Sequence, residues 1–303
     1  MVACHGGGAL VSAKGARMRT HCVDAGLLVT RGDNPGLAPL SVIIGDSRKV
    51  PMEPPFNAFV RAYEDDENFH YRRYFEAWSF FNALGDVRGA SVLDAGCGAG
   101  LYTRRLRERG AARVVGFDIA TNMLAHARMR EAEAPLGIEY VLEDAANAGR
   151  LGRFDIVTAV YVLPYAETRE VLRGMCRGMA EAVRPGGRLV AVAVNPVGEF
   201  SRRDYFAAHG MQILPANAEQ AALAELPDGA PLRLVSHIQG KPIDVRPCRW
   251  RRATLEDELR AAGFREIAWP PLSVSPEGEE LFGREHWRPL LENPPAVPLV
   301  CLK

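Results

Sequence analysis

The stretch Val92-Leu93-Asp94-Ala95-Gly96-Cys97-Gly98-Ala99-Gly100 decides the fold. Two apolar residues lead to an acid and then to glycines at alternate positions, and Leu101 to Gly110 follows with helical spacing. A strand that ends in such a turn and re-enters the chain as a helix lets backbone approach a ligand at the helix N-terminus, because glycine has no Cβ and tolerates positive φ. The same turn also occurs without a ligand, so its meaning depends on what flanks it.

Outward from this stretch, ASVLDAG, ARVVGFD, IEYVLED, FDIVTAVY and GRLVAVAVN are short apolar runs rich in Val, Ile and Ala. Helix-like segments such as LYTRRLRERG and TREVLRGMCRGMAEAV separate them. That alternation predicts parallel strands with helices on both faces, an α/β architecture. Arg184-Pro185-Gly186-Gly187 reads as the break before the fifth strand. Upstream, residues 56–84 repeat apolar side chains at helical spacing and stop at Gly85 and Gly89, so one or two helices precede the core. Downstream, the pattern loosens after Asn195. PLRLVSHIQ and KPIDVRPCRW then read as two strands of a hairpin joined at Gly240. Thr254 reads as an N-cap, with Asp257 completing an acidic capping box, for the helix LEDELRAAG that ends at Gly263. FREIAW and VPLVCLK supply the last two strands.

Bulk properties narrow the function. Of 303 residues, 48% are hydrophobic, enough for one large core. Lys plus Arg and Asp plus Glu each number 37, so no general field draws a nucleic-acid backbone or an anionic bilayer. No run approaches the ~20 apolar residues of a membrane-spanning helix. The six cysteines lie apart with no CxxC pair, which fits neither a disulfide framework nor a zinc site and points to a reducing cytoplasm. Residues 1–51 hold glycines, scattered prolines and little periodicity. They read as a disordered segment outside the folded unit, with Met52 as the functional start. Residues 52–303 read as one domain, with a helical lid at 52–89 and a substrate-cap insertion at 196–250.

The G-x-G-x-G spacing departs from the G-x-G-x-x-G of dinucleotide folds. With Asp94 before it, the stretch resembles the first motif of the class I S-adenosylmethionine-dependent methyltransferases, and the resemblance extends over residues 56–195. It implies a Rossmann-like seven-stranded, mostly parallel sheet whose last strand is antiparallel, with S-adenosyl-L-methionine as cofactor. Gly96, Gly98 and Gly100 would then pass beside the methionine part of the cofactor, with Asp94 facing its amino group directly or through water. Asp118, at the end of the second strand, would accept both ribose hydroxyls. Ile119 would be a further contact, and Met123 would pack on the adenine, where an ordinary core methionine on a helix would look the same. The Asp144-Ala145 pair would meet the adenine amino group and ring. Tyr63, Tyr71 and Tyr74 precede the motif, where related enzymes close a tyrosine over the cofactor carboxylate, while an aromatic core stripe would look the same. The Arg72-Arg73 pair reads as a solvated face.

Methyl transfer is an in-line displacement, so the protein mainly aligns the acceptor and assists proton removal. Tyr161, right after the Phe154-Asp155-Ile156-Val157 run, is positioned between methyl and acceptor, and it stands on both the cofactor and the catalytic side. Among seven histidines, His70, His209 and His237 are best placed to act as a base, with His70 and His237 taken forward. Tyr161, Val162 and Leu163 stand where a magnesium-dependent catechol enzyme needs acids, so no metal is expected.

The acceptor is expected to be a small molecule, methylated on N, O or C, with no nucleic-acid or membrane partner and a monomeric or homodimeric chain. The lead-in Gly85-Asp86-Val87-Arg88-Gly89 and the tail from Arg249-Trp250 to Trp269-Pro270-Pro271 look loosely like secondary-metabolite methyltransferases of the toxoflavin-pathway type, which act on a nitrogen heterocycle. Residues 196–248 depart from that pattern, so the substrate does not carry over. A nucleic-acid or protein methyltransferase is one alternative, although no Asn/Asp-Pro-Pro-aromatic motif follows the fourth strand. A nicotinamide enzyme and a non-catalytic cofactor-binding Rossmann protein are the others.

Overall fold

The computed structural model describes residues 10–13, 16–23, 26–30, 69–198, 206, 209–216, 226–238 and 241–303. The chain divides into two compact units, 1–53 and 54–303. In the first, β1 (Leu10–Ala13), β2 (Ala16–Val23) and β3 (Gly26–Thr30) pair antiparallel in sequence order. This is where the sequence pointed to disorder.

In the second unit a π-turn, Arg72–Glu76, runs into helix α1 (Ala77–Leu84), which stops at Gly85 with φ +72°. Strands β4 (Ser91–Ala95), β5 (Arg113–Asp118), β6 (Glu139–Leu142) and β7 (Phe154–Val160) then alternate with α2 (Leu101–Glu108), α3 (Thr121–Glu133) and a 3₁₀ segment, Ala145–Leu151. Helix α4 (Arg169–Ala182) leads into β8 (Val183–Val194). The expected break at Arg184-Pro185-Gly186-Gly187 appears as an irregularity inside the β7–β8 pairing, which jumps from Phe154↔Val183 to Ile156↔Arg188.

Strands β9 (Met211–Pro215), β10 (Ala230–Ile238), β11 (Lys241–Val245) and β12 (Cys248–Arg249) form a separate antiparallel sheet, the cap. The expected hairpin is β10–β11, and β9 lies where the sequence showed no pattern. Helix α5 (Arg252–Ala261), β13 (Glu266–Ala268), α6 (Pro276–Phe282), α7 (Arg284–Glu292) and β14 (Ala296–Leu302) complete the chain. The pair α6–α7 was not foreseen.

The main sheet runs β13-β14-β8-β7-β4-β5-β6, with β4 through β8 parallel and β14 antiparallel to both neighbours. This is the expected seven-stranded topology. Its strands read as nearly continuous apolar runs because both faces are covered. Leu93, Val115, Val157 and Leu189 pack under α4 and α5, while Val92, Val114, Ile156 and Val190 pack under α1, α2 and α3. A third cluster joins Tyr71 and Phe75 to Met211, Ile213 and Leu232 of the cap and to Trp287 of α7.

The capping prediction for α5 is corrected. The helix starts at Arg252, and Thr254 sits inside its first turn with its hydroxyl donating to Asp228. Asp228 also accepts from the Arg251 amide at 2.6 Å. A carboxylate brought from the cap therefore serves this helix end, and no local sequence window shows it.

The chain enters the sheet at β4, adds β5 and β6 on one side, then returns to add β7 and β8 on the other. The carboxyl ends of β4 and β7 flank that switch point, where open α/β sheets bind ligands.

Candidate active site

One cavity opens at this point. It encloses about 1800 Å³ including its open mouth, and its wall runs from the glycine loop to the cap. On the sheet side, Gly96, Gly98 and Gly100 have φ of +61°, +55° and +88°, a region that favours glycine. A Cβ at Gly96 would stand 2.6 Å from Val162 Cγ2, and one at Gly100 would stand 2.5 Å from Tyr140 Oη. A Cβ at Gly98 would meet nothing within 4 Å and would enter the cavity. Two of the glycines thus let the loop pack, and the third keeps space free.

Asp118 holds this loop. One carboxylate oxygen accepts from the Gly98 amide and the other from the Ala120 amide, each at 2.8 Å. Burial pushes its pKa up, and the backbone donors of Ala120, Gly98 and Ile119 oppose that shift. Each oxygen can still accept a further bond, as a ribose diol requires.

Asp94 is buried, and its two oxygens accept from Thr103 and Thr158 hydroxyls at 2.7 Å each. Burial pushes its pKa up to about 6, with the hydroxyls opposing and Asp118 adding to the rise. Both hydroxyls orient the carboxylate at the cavity floor and leave acceptor capacity unused.

Ile119 is exposed, while Met123 and Ala145 are buried, and all three line the cavity with Asp144. Asp144 accepts from the Ala146 amide at 2.7 Å, capping the 3₁₀ segment. Glu143 accepts at 3.0 Å from both the Asp144 amide and the Asn147 side chain, which fixes the strand end.

The wall formed by the π-turn and the turn after β7 is built differently. Glu76, buried on the π-turn, accepts from Tyr161 Oη at 2.7 Å and from the Tyr102 hydroxyl, and Arg72 Nε lies 3.5 Å from it. Tyr71 Oη lies 3.5 Å from Tyr161 Oη. Burial, reinforced by the Glu76 charge, pushes the phenols of Tyr71, Tyr102 and Tyr161 up, so each stays protonated. Tyr161 has φ +58°, the sole positive φ outside glycine among the described residues. Its amide donates to Val192 O at 3.0 Å, holding a conformation that costs of order 1–3 kcal/mol. The strain turns the phenol toward Glu76.

Sequence reasoning missed Glu76 and Tyr102, and it placed Arg72 on a solvated face. Arg72 in fact lines the cavity beside Glu76, whereas Arg73 is exposed and pairs with Glu277 at 3.0 Å. The Arg72–Glu76 spacing of i, i+4 was the available signal. Tyr74 leans to Glu277 at 3.4 Å and is not among the cavity residues. Tyr63 lies outside the described residues, as does the side chain of His237. His70 and His209 do not line the cavity, and they gather with His286 behind its wall.

These residues fit S-adenosylmethionine: a glycine cradle with open space at Gly98, a strand-end carboxylate with spare acceptor capacity, and a buried acid suited to an ammonium.

Comparison with known proteins points the same way. The model of a methyltransferase domain matches residues 92–187. The ubiquinone biosynthesis O-methyltransferase of Xanthomonas oryzae pv. oryzae is 32% identical over 118 residues, 38% of this chain and 48% of that protein. The protein of the same name from Idiomarina loihiensis is 34% identical over 117 residues, 38% of this chain and 46% of its own. The match thus spans about half the length of these relatives. The fold is shared with an S-adenosylmethionine-dependent methyltransferase from Clostridium acetobutylicum, at a TM-score of 0.52 and 14% identity over 82% of this chain and 99% of that one. With the glycine loop, the strand-end acids and the sheet order in agreement, residues 92–187 carry a methyltransferase domain, and the chain has the fold of an S-adenosylmethionine-dependent methyltransferase.

Proposed function

We propose that the protein methylates a flat, largely apolar small molecule of the secondary-metabolite kind, with a hydroxyl as the favoured acceptor among N, O and C. The observation that carries this reading is the continuity of one cavity, lined at one end by Gly98, Asp118 and Met123 and at the other by Ile213, Leu232 and Ile243 of the cap. An apolar wall with few polar groups suits a small molecule held by its rings. The O-methyltransferase name of the relatives supports the choice of a hydroxyl.

When bound, the cofactor supplies an electrophilic methyl group on a sulfonium. The glycine loop and Asp118 hold that end of the cavity, and the cap wall excludes water and orients the acceptor ring. The acceptor hydroxyl must lose its proton as the new bond forms. Glu76 can take that proton directly, or through the Tyr161 hydroxyl already donating to it. Arg72 lies 3.5 Å from Glu76 and adds a positive charge beside that carboxylate. His70 and His237, the bases expected from sequence, are not needed in this scheme. The four described cysteines, Cys97, Cys176, Cys248 and Cys301, are buried free thiols, which suits a reducing cytoplasm.

Calorimetric titration of the protein with S-adenosylmethionine, its demethylated product and NADH tests the cofactor side. Micromolar binding of the first two and none of NADH is expected. Incubation with panels of phenols, nitrogen heterocycles and carbon acids, read by mass spectrometry for addition of one CH₂, tests the acceptor. Turnover confined to heterocyclic nitrogen would overturn the hydroxyl assignment, and turnover of a nucleic acid or protein would overturn the small-molecule reading.

A further inference from the structure

Behind the acceptor wall, three histidines from distant parts of the chain converge. His70 starts the helical run before α1, His209 precedes β9, and His286 lies in the first turn of α7. One nitrogen from each lies within 4.8 Å of the other two. The His209–His286 ring centroids are 4.5 Å apart, and those of His70–His209 and His70–His286 are 5.7 and 5.4 Å apart.

Four of their six nitrogens lack a hydrogen bond of good geometry, although the His286 backbone lies close enough to His209 to act on it. His70 Nε2, both nitrogens of His209 and His286 Nε2 are buried without a hydrogen bond. Leaving buried imidazole nitrogens unsatisfied is costly, so each such group calls for a partner. Aromatic packing against Phe282 and Trp287 satisfies the ring faces only, with centroids at 5.4 Å for His70–Phe282 and 4.8 Å for His286–Trp287. Burial pushes His209 down to about 4, with His286 and His70 adding to the drop and the His286 backbone opposing it. Burial lowers His70 and His286 as well, and His286 adds to the drop at His70. A neutral imidazole is the form that ligates.

We propose that His70, His209 and His286 form a binding site for a divalent transition metal ion of the zinc class. Imidazole selects this class over magnesium or calcium, which take oxygen ligands. Metal–nitrogen bonds of about 2.0–2.1 Å put tetrahedral ligand atoms roughly 3.3 Å apart. Side-chain rotation that draws the nitrogens together by up to about 1.5 Å closes the set. Three protein ligands leave a fourth position for water or an anion. The expectation of no metal rested on missing carboxylates near the methyl group, and this site lies elsewhere.

The ion would staple three segments that meet at the acceptor wall. Phe69 and Tyr71, on either side of His70, line the cavity, as does Met211, two residues after His209. The site does not depend on which acceptor is methylated.

The test uses the full chain, stripped with a chelator and titrated with zinc against a chromophoric competitor, and in parallel with cobalt(II). Expected are one equivalent of zinc, a rise in Tm on addition, and cobalt d–d bands without a thiolate charge-transfer band. His286→Gln should weaken zinc at least tenfold and abolish the Tm rise while S-adenosylmethionine binding stays within about twofold. Absence of binding, a thiolate band or unchanged affinity in His286→Gln would each overturn the proposal. If His286→Gln fails to fold, the cobalt spectrum of the unaltered chain decides: d–d bands without thiolate support the site, and a thiolate band or a blank spectrum sinks it.

Discussion

The glycine-loop side and the acceptor side of one cavity are held together by different means. At the carboxyl ends of β4 and β5, Asp118 reaches the nearby amides of Gly98 and Ala120, and Asp94 reaches Thr103 on the adjoining helix and Thr158 on the adjacent strand. Each group stands at a strand end, so the sheet itself sets the spacing. On the acceptor side, Glu76 gathers Tyr102 and Tyr161 from 26 and 85 residues away. That cluster exists only once the N-terminal helix has docked. A site built on strand ends should tolerate little change in backbone, whereas one built from side chains on separate segments should lose function through single polar atoms.

The largest effect is expected at Gly100. Alanine there must adopt φ +88° and puts its Cβ 2.5 Å from Tyr140 Oη. Strain of order 1–3 kcal/mol adds to the clash. S-adenosylmethionine binding should fall by about two orders of magnitude in Gly100→Ala, measured by calorimetry. Tyr140 Oη is buried and unpartnered, so adding Tyr140→Phe should recover part of the loss. Full activity in Gly100→Ala would show that the loop is softer than the comparison holds.

Asp94 gives the next effect, and its sign can be worked out. Its folded pKa of about 6 lies above the ordinary aspartate value of 3.8, so the native state binds the extra proton. Stability is then lost as pH rises from about 4 through 6, by roughly 3 kcal/mol at full ionisation. Asp94→Asn should therefore gain stability relative to the parent across that window, seen in denaturant midpoints. If the ionised acid faces the cofactor ammonium, S-adenosylmethionine affinity should drop by up to about tenfold per pH unit below 6, and this slope should vanish in Asp94→Asn. A flat pH profile in the parent would take Asp94 out of ligand contact.

The same contrast explains what the sequence shows. Asp94, Asp118 and Asp144 each close an apolar run, so position along the chain predicts place in the sheet. Glu76 sits in RRYFEAW, where an acid between aromatics reads as one charge on an amphipathic helix. Only docking of α2 and of the turn after β7 buries it. Thr254 looked like a cap because the acid serving that helix end, Asp228, comes from the cap insertion 26 residues earlier. Strand β9 and helices α6 and α7 lie in proline-interrupted stretches whose periodicity is short; packing against Tyr71 and Phe75 settles β9 and α7, and Tyr74 stands against Gly278 of α6. The histidine cluster is invisible for the same reason, since its members are 139 and 77 positions apart (209 − 70 and 286 − 209).

Asp118→Ala sharpens the comparison from the glycine-loop side. It removes two charge-assisted bonds to backbone amides as well as any acceptor for a ribose. Cofactor affinity should fall by about tenfold or more, at roughly 1.5–3 kcal/mol for a bond to a charged group, with turnover at saturating cofactor changed much less. Asp118→Asn keeps one acceptor oxygen and should lie between the two. Unchanged affinity in Asp118→Ala would remove that residue from the site.

The smallest effect, and the one that separates the two sides most cleanly, is expected at the Glu76–Tyr161 contact. Tyr161→Phe deletes a single donor to a carboxylate that still accepts from Tyr102 and lies beside Arg72, so the helix should remain docked. A loss of about 0.5–1.5 kcal/mol corresponds to a fall in kcat of roughly two- to tenfold, with S-adenosylmethionine affinity unchanged within error. Glu76→Gln goes further, because an amide cannot take the acceptor's proton. Its kcat should fall at least as far as that of Tyr161→Phe. If either substitution instead weakened the cofactor and left kcat intact, the polar cluster would belong to the cofactor side, and the division between strand-end and assembled halves would fail.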